Sequence, residues 1–559
     1  MKLRKTILLL DNDKGVLAST SALLMLQGYI VFTAENINQA LEMLKNERIY
    51  LVVVDARLLD EYDSTDISGL KFSSKLSPEI SKIILTAYLT PEISRQALTM
   101  HSEKTFPADD VISKQAGPGA LLEAVNHSFE KIISQINLDS LEIEFNSEFS
   151  LEALMKPIAE DFPRLTEDEV EELLRRLFRQ ENRIKIYYLP PGRGGAGVAL
   201  VKPFYGEMEG AITVMKFGLT TIIEREIDRY KKYVQPFVQP YSTVLLGEPV
   251  HTHHLAACRL LFVGSTKDHL LDFNTFYGNT ANLDTDLRQV IRNIFFQTCR
   301  IWYKGKRKWQ KREDGSLGLA MEEQLWSDSA GFHEELQRTL KDLVNGESFH
   351  NVTFQRFGSS IRALIDGGEE KLHNPLYMIT SSHERLPIPA FASITHGDLN
   401  GHNLFVDDKK LTWLIDFYKT GWGPALRDAA ELESAIKFQL VESDNLPKLL
   451  AFENAILAPS TFSEEVQLRS QIQKSGEFQR ALNTIQCIRE VASEIGETNS
   501  MDEYYAILMY YALKMMTWKG VSSTDKQRRR TRQRHALYSA AVISGKLFYD
   551  KNKEEKHIL

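Results

Sequence analysis

The chain has 559 residues, enough for three or four units at roughly 100 to 200 residues per domain. Hydrophobic residues make up 43% and charged residues 25%, which excludes a collagenous, disordered or disulfide-scaffold protein. A formal charge of -8 gives no general attraction to nucleic acid or anionic lipid, and Cys258, Cys299 and Cys487 have no CxxC spacing for a thiolate zinc site.

The apolar run Ile7 to Leu10 ends at Asp11, too short for a signal h-region, and no run approaches the roughly 20 apolar residues that cross a bilayer. A cytoplasmic protein with no membrane partner is expected. From residue 5 to about 133, short aliphatic or β-branched runs alternate with amphipathic stretches, the pattern of a parallel α/β sheet. Strands are predicted at Thr6–Leu10, Ile30–Ala34, Leu51–Asp55, Lys82–Thr86 and Asp110–Ile112, in five βα units of flavodoxin-like plan. Ligands of such sheets sit beyond the carboxyl ends of the strands, where Asp11, Asp55, Thr86 and Lys114 fall.

A carboxylate at the end of a central strand can take a phosphoryl group when a magnesium ion held by further oxygens neutralises it. Asp55 is the candidate phosphoacceptor, with Asp11 and Asp55 as candidate metal ligands. Thr86 can hydrogen-bond the phosphoryl oxygens and Lys114 can pair with their charge. The motifs ILLLDND, VVVDARL, ILTAY and VISK resemble the response-regulator receiver family over about the first 133 residues. That resemblance implies a sensor histidine kinase or other phosphodonor as partner. Asn12 stands at the usual second acidic position, Leu59 and Gln115 at usual prolines, and Val111 at a common switching aromatic, so a receiver fold kept for docking is the alternative.

Residues 134–180 read as a helical linker. Thr166 and Glu169 are placed as a capping box, with Leu165 and Val170 as a hydrophobic staple, opening a helix through EVEELLRRLF. Phosphorylation at Asp55 is expected to shift the face formed by the last strands and helices of the sheet, which leads into this linker. Beyond it, RIKIYYL, VALVKPF and AITVMKFG predict three strands around the turn PPGRGGAG, followed by a helix around IIEREIDRYKKYV. The remainder reads mainly as helices, with one catalytic-looking loop and short strands at residues 394–417.

Phosphoryl transfer needs positioning and charge neutralisation more than covalent chemistry. Glycines Gly192, Gly194, Gly195 and Gly197 let backbone approach phosphate closely. Lys216 lies near a strand end, and Glu226, or alternatively Glu224, is placed to hold it. THGDLNGHNLFV supplies Asp398 and Asn403, five positions apart, and WLIDFYKTGWGP supplies Asp416. These residues resemble the aminoglycoside phosphotransferase and choline kinase branch of the protein-kinase-like fold over roughly residues 181–440, with a helical part, 441–559, completing the larger lobe. The resemblance implies an α+β bilobal domain using ATP and Mg2+. In it Asp398 orients or deprotonates an acceptor hydroxyl, Asn403 and Asp416 hold the metal, Lys216 contacts the nucleotide phosphates, and His396 and Asp428 are structural.

Only twelve positions separate Asp416 from Asp428, leaving no room for a long activation segment, which favours the small-molecule branch. The architecture also resembles the ternary-complex-associated proteins of bacterial conflict systems. The expected function is a receiver-regulated phosphotransferase with an unidentified acceptor; the alternative is a nucleotide-binding signalling adaptor without turnover. His251, His253 and His254 have no accompanying ligand at metal spacing. The cationic stretches Trp302–Arg312 and Lys526–His535 read as a solvated loop and helix face rather than a grip on nucleic acid.

Overall fold

The computed structural model describes residues 3–60, 63, 65–77, 79–99, 107–136, 140–146, 150–159, 162–188, 196–237, 243–262, 270–309, 331–377, 387, 389–518 and 526–549. It separates into two compact units, Met1–Glu224 with Leu245–Leu261, and Arg225–Val244 with Phe262–Leu559.

The first unit opens with β1 (Thr6–Leu10), β2 (Ile30–Ala34), β3 (Leu51–Asp55), β4 (Ser81–Thr86) and β5 (Asp110–Ser113). They form one parallel sheet in the order β2-β1-β3-β4-β5. Because strand side chains alternate between faces, the aliphatic runs supply two cores. Ile7, Leu9 and Val53 pack with Leu17 and Leu24 of α1 (Lys14–Leu26) and Phe129 of α5 (Pro118–Ser134). Leu8, Leu10, Val52 and Val54 pack with Ala40 of α2 (Ile37–Asn46), Leu70 of α3 (Ser68–Ser73) and Ala97 of α4 (Pro91–Leu98). Residues that are apolar on both faces suit a sheet covered by helices on both sides.

Residues 134–180 are more than a connection. They contain β6 (Glu142–Phe145), α6 (Leu151–Ala159) and α7 (Glu167–Leu177). Strand β6 runs parallel to β7 (Arg183–Tyr188), which pairs antiparallel with β8 (Gly197–Tyr205). A short β9 (Met208–Glu209) returns on β8, and β10 (Thr213–Leu219) lies between β8 and the strand Leu255–Phe262. The helices α6 and α7 cover one face of this sheet: Leu154, Ile158, Leu173 and Leu177 pack with Ile184, Val201, Met215 and Phe217.

The capping box at α7 does not form. Thr166 is the N-cap, but its side chain makes no capping bond, Glu169 N donating to Thr166 O at 3.1 Å, and the Glu169 side chain turns to another partner. Its carboxylate accepts from Thr252 Oγ1 at 2.8 Å and His254 N at 2.8 Å, and lies 3.1 Å from His254 Nδ1. Burial alone would raise this carboxyl, yet the hydrogen bonds and charge of His254 hold it down at about 2. The staple residues Val170 and Leu165 do join the core.

The second unit contains an antiparallel meander, Asn345–Phe349, Val352–Phe357, Ser360–Ile365 and Gly368–His373, which lies within the long stretch between Lys216 and Asp398. Two three-stranded sheets follow, Leu271–Asp272 with Leu404–Val406 and Thr412–Leu414, and Arg307–Lys308 with Phe391–Thr395 and Gly421–Pro424. Helices Arg427–Ala435, Gly476–Gly496, Asp502–Met516 and Lys526–Tyr549 build the rest of its core.

The basic start of the last helix is a solvated face only in its first part, where Lys526, Gln527 and Arg530 are exposed. Thr531, Arg532, Arg534 and His535 are buried; Arg532 donates to the carbonyl of Val441, and His535 Nε2 lies 2.8 Å from Glu453, which also binds Lys437 at 2.7 Å. Trp302 and Tyr303, from the other cationic stretch, are buried too, and its last residues, 310–312, lie outside the described residues. Among the described residues no helix is long and apolar enough to cross a membrane.

Candidate functional sites

At the carboxyl ends of the parallel strands, Asp11 and Asp55 are both buried. Lys114 Nζ donates to Oδ2 of each at 2.6 Å. Burial pushes the Asp55 carboxyl upward and nearby Asp11 adds to this, while the hydrogen bond and charge of Lys114 work against them. Two carboxylates converging on one ammonium form an oxygen-rich position fitted to a cation, and magnesium takes such ligands. Thr86, fully buried, accepts at Oγ1 from Tyr88 N at 3.2 Å, and Tyr88 lies against the Arg57 guanidinium. Asn12 points elsewhere, donating to Leu58 O at 3.5 Å, and Asp13 caps α1. Gly69 is required here, since a Cβ would fall 1.8 Å from the Asp55 carbonyl oxygen.

In the second unit, the segment Thr395–Asn403 joins strand Phe391–Thr395 to strand Leu404–Val406. Asn403 Nδ2 donates to the Asp398 carbonyl at 2.8 Å, which leaves the oxygen side of the amide for a cation. Ile415 N donates to Asn403 O at 3.0 Å, so the residue before Asp416 is tied to Asn403. Asp416 has φ +67°, a left-handed backbone unusual for a non-glycine residue and of the kind that clusters at functional sites. Glu226, on α8 (Thr220–Arg229), is buried and accepts from Phe417 N at 3.2 Å.

Asp428 fixes the start of the loop. Its Oδ2 accepts from His396 N and Tyr303 Oη, both at 2.7 Å, and its Oδ1 from Gly397 N at 2.9 Å. Gly397 has φ +78°, and a Cβ there would sit 2.6 Å from Lys419 O. His396 is fully buried, its Nε2 2.9 Å from Ile415 O. The start of the motif, His396 and Gly397, is thus held by the Asp428 carboxylate and the His396 imidazole.

Lys216 is buried on β10, in register with Val198 and Cys258, and belongs to the first unit, whereas Asp398, Asn403 and Asp416 belong to the second. Glu224 approaches His251 Nε2 at 3.4 Å. Gly192, Gly194 and Gly195 lie outside the described residues; Gly197 opens β8, where a Cβ would meet the Phe217 ring at 2.2 Å. His253 stacks edge-on against His254 and is pushed down by burial and by that neighbour. Among the described residues no three His, Cys, Asp or Glu side chains group as metal ligands do.

Three residues at the loop were not singled out from sequence. Glu431 accepts from Leu399 N at 2.9 Å and from Tyr511 Oη at 3.0 Å. Lys419 Nζ and Lys514 Nζ each lie 3.6 Å from Asp398 Oδ1. Lys419 could have been noticed three residues after Asp416. Lys514 carries no local signal, being one lysine in a mostly apolar helix.

Residues 7–126 match the family model of the response regulator receiver domain, and residues 355–517 match that of ternary complex associated domain 9. Among solved structures, the chain is similar to a CheY-like receiver domain protein from Methanospirillum hungatei JF-1, at 28% identity over 24% of this chain and 99% of that one, TM-score 0.21. It is also similar to a protein assigned as an aminoglycoside phosphotransferase from Ralstonia eutropha JMP134, at 12% identity over 62% of this chain and 89% of that one, TM-score 0.32. A choline kinase from Streptococcus pneumoniae is 11% identical over 61% of this chain and 89% of its own, TM-score 0.31. No curated protein matches the chain. A receiver domain therefore stands at the N-terminal side, and ternary complex associated domain 9 contains the Asp398 loop, Asp416, Asp428 and Lys514.

Proposed function

We propose that the chain is a receiver-controlled phosphotransferase that moves the γ-phosphoryl group of ATP onto a hydroxyl of an acceptor. The observation that carries this reading is the Asp398 loop: Asp428 and His396 fix its backbone, Asn403 is tied to Asp398, and Asp416 follows in a left-handed conformation. In the reaction the acceptor oxygen forms a bond to Pγ, the bond from Pγ to the β–γ bridging oxygen breaks, and ADP leaves. Asp398 orients the hydroxyl and takes its proton, which passes on to solvent. Asn403 and Asp416 would hold magnesium, whose charge offsets that of the phosphates. Lys216 is assigned to the nucleotide phosphates, and the turn ending at Gly197 to covering them. In the receiver, Asp55 takes a phosphoryl group from a histidine kinase or other donor, with Asp11, Thr86 and Lys114 around it.

A nucleotide-binding adaptor without turnover is the second reading, favoured by the two lysines that already neighbour Asp398 Oδ1. Purified protein with magnesium and γ-labelled ATP, incubated across metabolite and protein pools, separates the two. Label transfer that disappears in Asp398→Ala supports catalysis. Nucleotide binding with full cellular function in Asp398→Ala supports the adaptor.

A further inference from the structure

We infer that the acceptor is an anionic hydroxyl compound whose negative group is held by Lys419 and Lys514 beside Asp398; this rests on the phosphotransferase reading above. The two ammonium groups arrive independently. Lys419 ends the short turn Phe417–Lys419 after Asp416, while Lys514 comes from the helix Asp502–Met516. Both stop 3.6 Å from the same carboxylate oxygen, and Lys514 is also 3.9 Å from Glu431 Oε1. Each side chain is partly exposed, 25% for Lys419 and 21% for Lys514.

The placement of the charges, not their sum, favours an anion. Six charged groups meet at the loop, the carboxylates of Asp398, Glu431 and Asp428 and the cations Lys419, Lys514 and Arg427, and Asp428 and Arg427 offset each other on its inner side. Arg427 is turned inward, donating to Gly397 O at 3.0 Å and to Tyr511 Oη at 3.4 Å. Glu431 is occupied by Leu399 N and Tyr511, and burial with the neighbouring Asp398 charge pushes its carboxyl upward, partly offset by Lys514 and Arg427. What an incoming acceptor meets next to Asp398 is therefore a pair of ammonium groups. An amino alcohol or polyamine would place its own cation among them, whereas a phosphate or carboxylate on the acceptor would gain charge-assisted contacts to both ammonium groups and set its hydroxyl beside Asp398.

Neutralising Asp398 and Glu431 is a purely structural use for the same lysines, and it predicts no affinity for anions. The experiment uses the full chain saturated with magnesium and a non-hydrolysable ATP analogue, titrated calorimetrically with inorganic phosphate and, separately, with choline. Phosphate should bind and choline should not. Lys419→Gln and Lys514→Gln should each weaken phosphate binding by about ten- to a hundred-fold, the loss of one charge-assisted bond, while Lys514→Arg retains most of it and nucleotide affinity stays unchanged. Binding of choline in preference to phosphate, no phosphate binding at millimolar concentration, or phosphate binding indifferent to both substitutions would each overturn the inference while leaving a nucleotide-binding phosphotransferase standing. Failure of the analogue to bind would count against the phosphotransferase reading instead, and phosphate titrated into the nucleotide-free protein would then show whether the lysine pair still takes an anion.

Discussion

Replacing Asp428 by asparagine changes one atom of the acceptor set and should loosen the loop that carries Asp398. The carboxylate receives three donors, His396 N, Gly397 N and Tyr303 Oη, in a buried position. An asparagine offers one acceptor oxygen and one NH2 group. If the oxygen takes His396 N and Tyr303 Oη, the NH2 faces the Gly397 N–H, so a buried donor is orphaned and the remaining bonds lose their charge assistance. With about 1–3 kcal/mol for a buried unsatisfied donor and about 1 kcal/mol for weakening the other two, the cost is about 2–4 kcal/mol. Tyr303→Phe, which removes one donor and leaves the carboxylate two, should cost about 1–2 kcal/mol. Denaturant unfolding followed by tryptophan fluorescence reads this directly, because Trp302 and Trp413 are fully buried in the same unit. Phosphoryl transfer should fall more than nucleotide affinity, since the loop orients the acceptor. A change below about 0.5 kcal/mol for Asp428→Asn would refute the claim that this carboxylate fixes the loop.

Gly397→Ala should lower stability by more than about 2 kcal/mol and abolish transfer, because the new Cβ meets Lys419 O at 2.6 Å in a backbone at φ +78°; unfolding and label-transfer assays check both. Glu503 is raised to about 7 by burial, despite the bond from Ala390 N. Its folded state therefore keeps a proton that the unfolded chain releases, so stability is full below the ordinary carboxyl range and falls, by up to about 3 kcal/mol, as pH rises to about 7; Glu503→Gln should flatten this profile. Lys114→Met removes the cation that opposes the burial of Asp55, so phosphorylation by acetyl phosphate should drop by about tenfold or more, measured by intact-mass spectrometry.

The parallel sheet was legible because buried strands are written as aliphatic runs, and β1 and β3 are fully buried along their length. Their ends were legible too, since a polar residue stops each run. The segment 134–180 was harder. EIEF is too short and too charged to announce β6, and Glu169 at the position of a capping partner pairs instead with His254, 85 residues away. The meander Asn345–His373 has strands of five or six residues with many polar side chains, a weak alternation without a continuous apolar run. At the loop, HGD and IDF name the residues whose spacing is local. Lys514 and Glu431 reach it from helices, so only packing shows them. The basic run before Ala536 looks solvated until Val441 O and Glu453, far away in sequence, appear as its partners.

The geometry of the first unit also changes where receiver control can enter. The expected route was the face of the last strands and helices, but the polar contacts to α7 come from the amino ends of the central strands. Glu172 binds Arg48 and Tyr50, immediately before β3, and Arg176 approaches Glu79, just before β4, at 3.6 Å. Asp55 is at the other end of β3, about 15 Å away for a five-residue strand. Over such a distance the direct pull of a phosphoryl charge on α7 is far weaker than at contact, since it falls with separation. A displacement of β3 and β4 as bodies would be felt there directly, because Glu79 also approaches His251 at 3.8 Å and His251 approaches Glu224 at 3.4 Å. A cavity of about 350 Å3 lies at this junction, lined by Leu44, Tyr50, Glu79, Glu172, Arg176 and His254 among others. Polar pairs of this kind can exchange partners without rebuilding a packed interior, which is the property that a switching junction between the receiver sheet and the sheet of β6 to β10 would need.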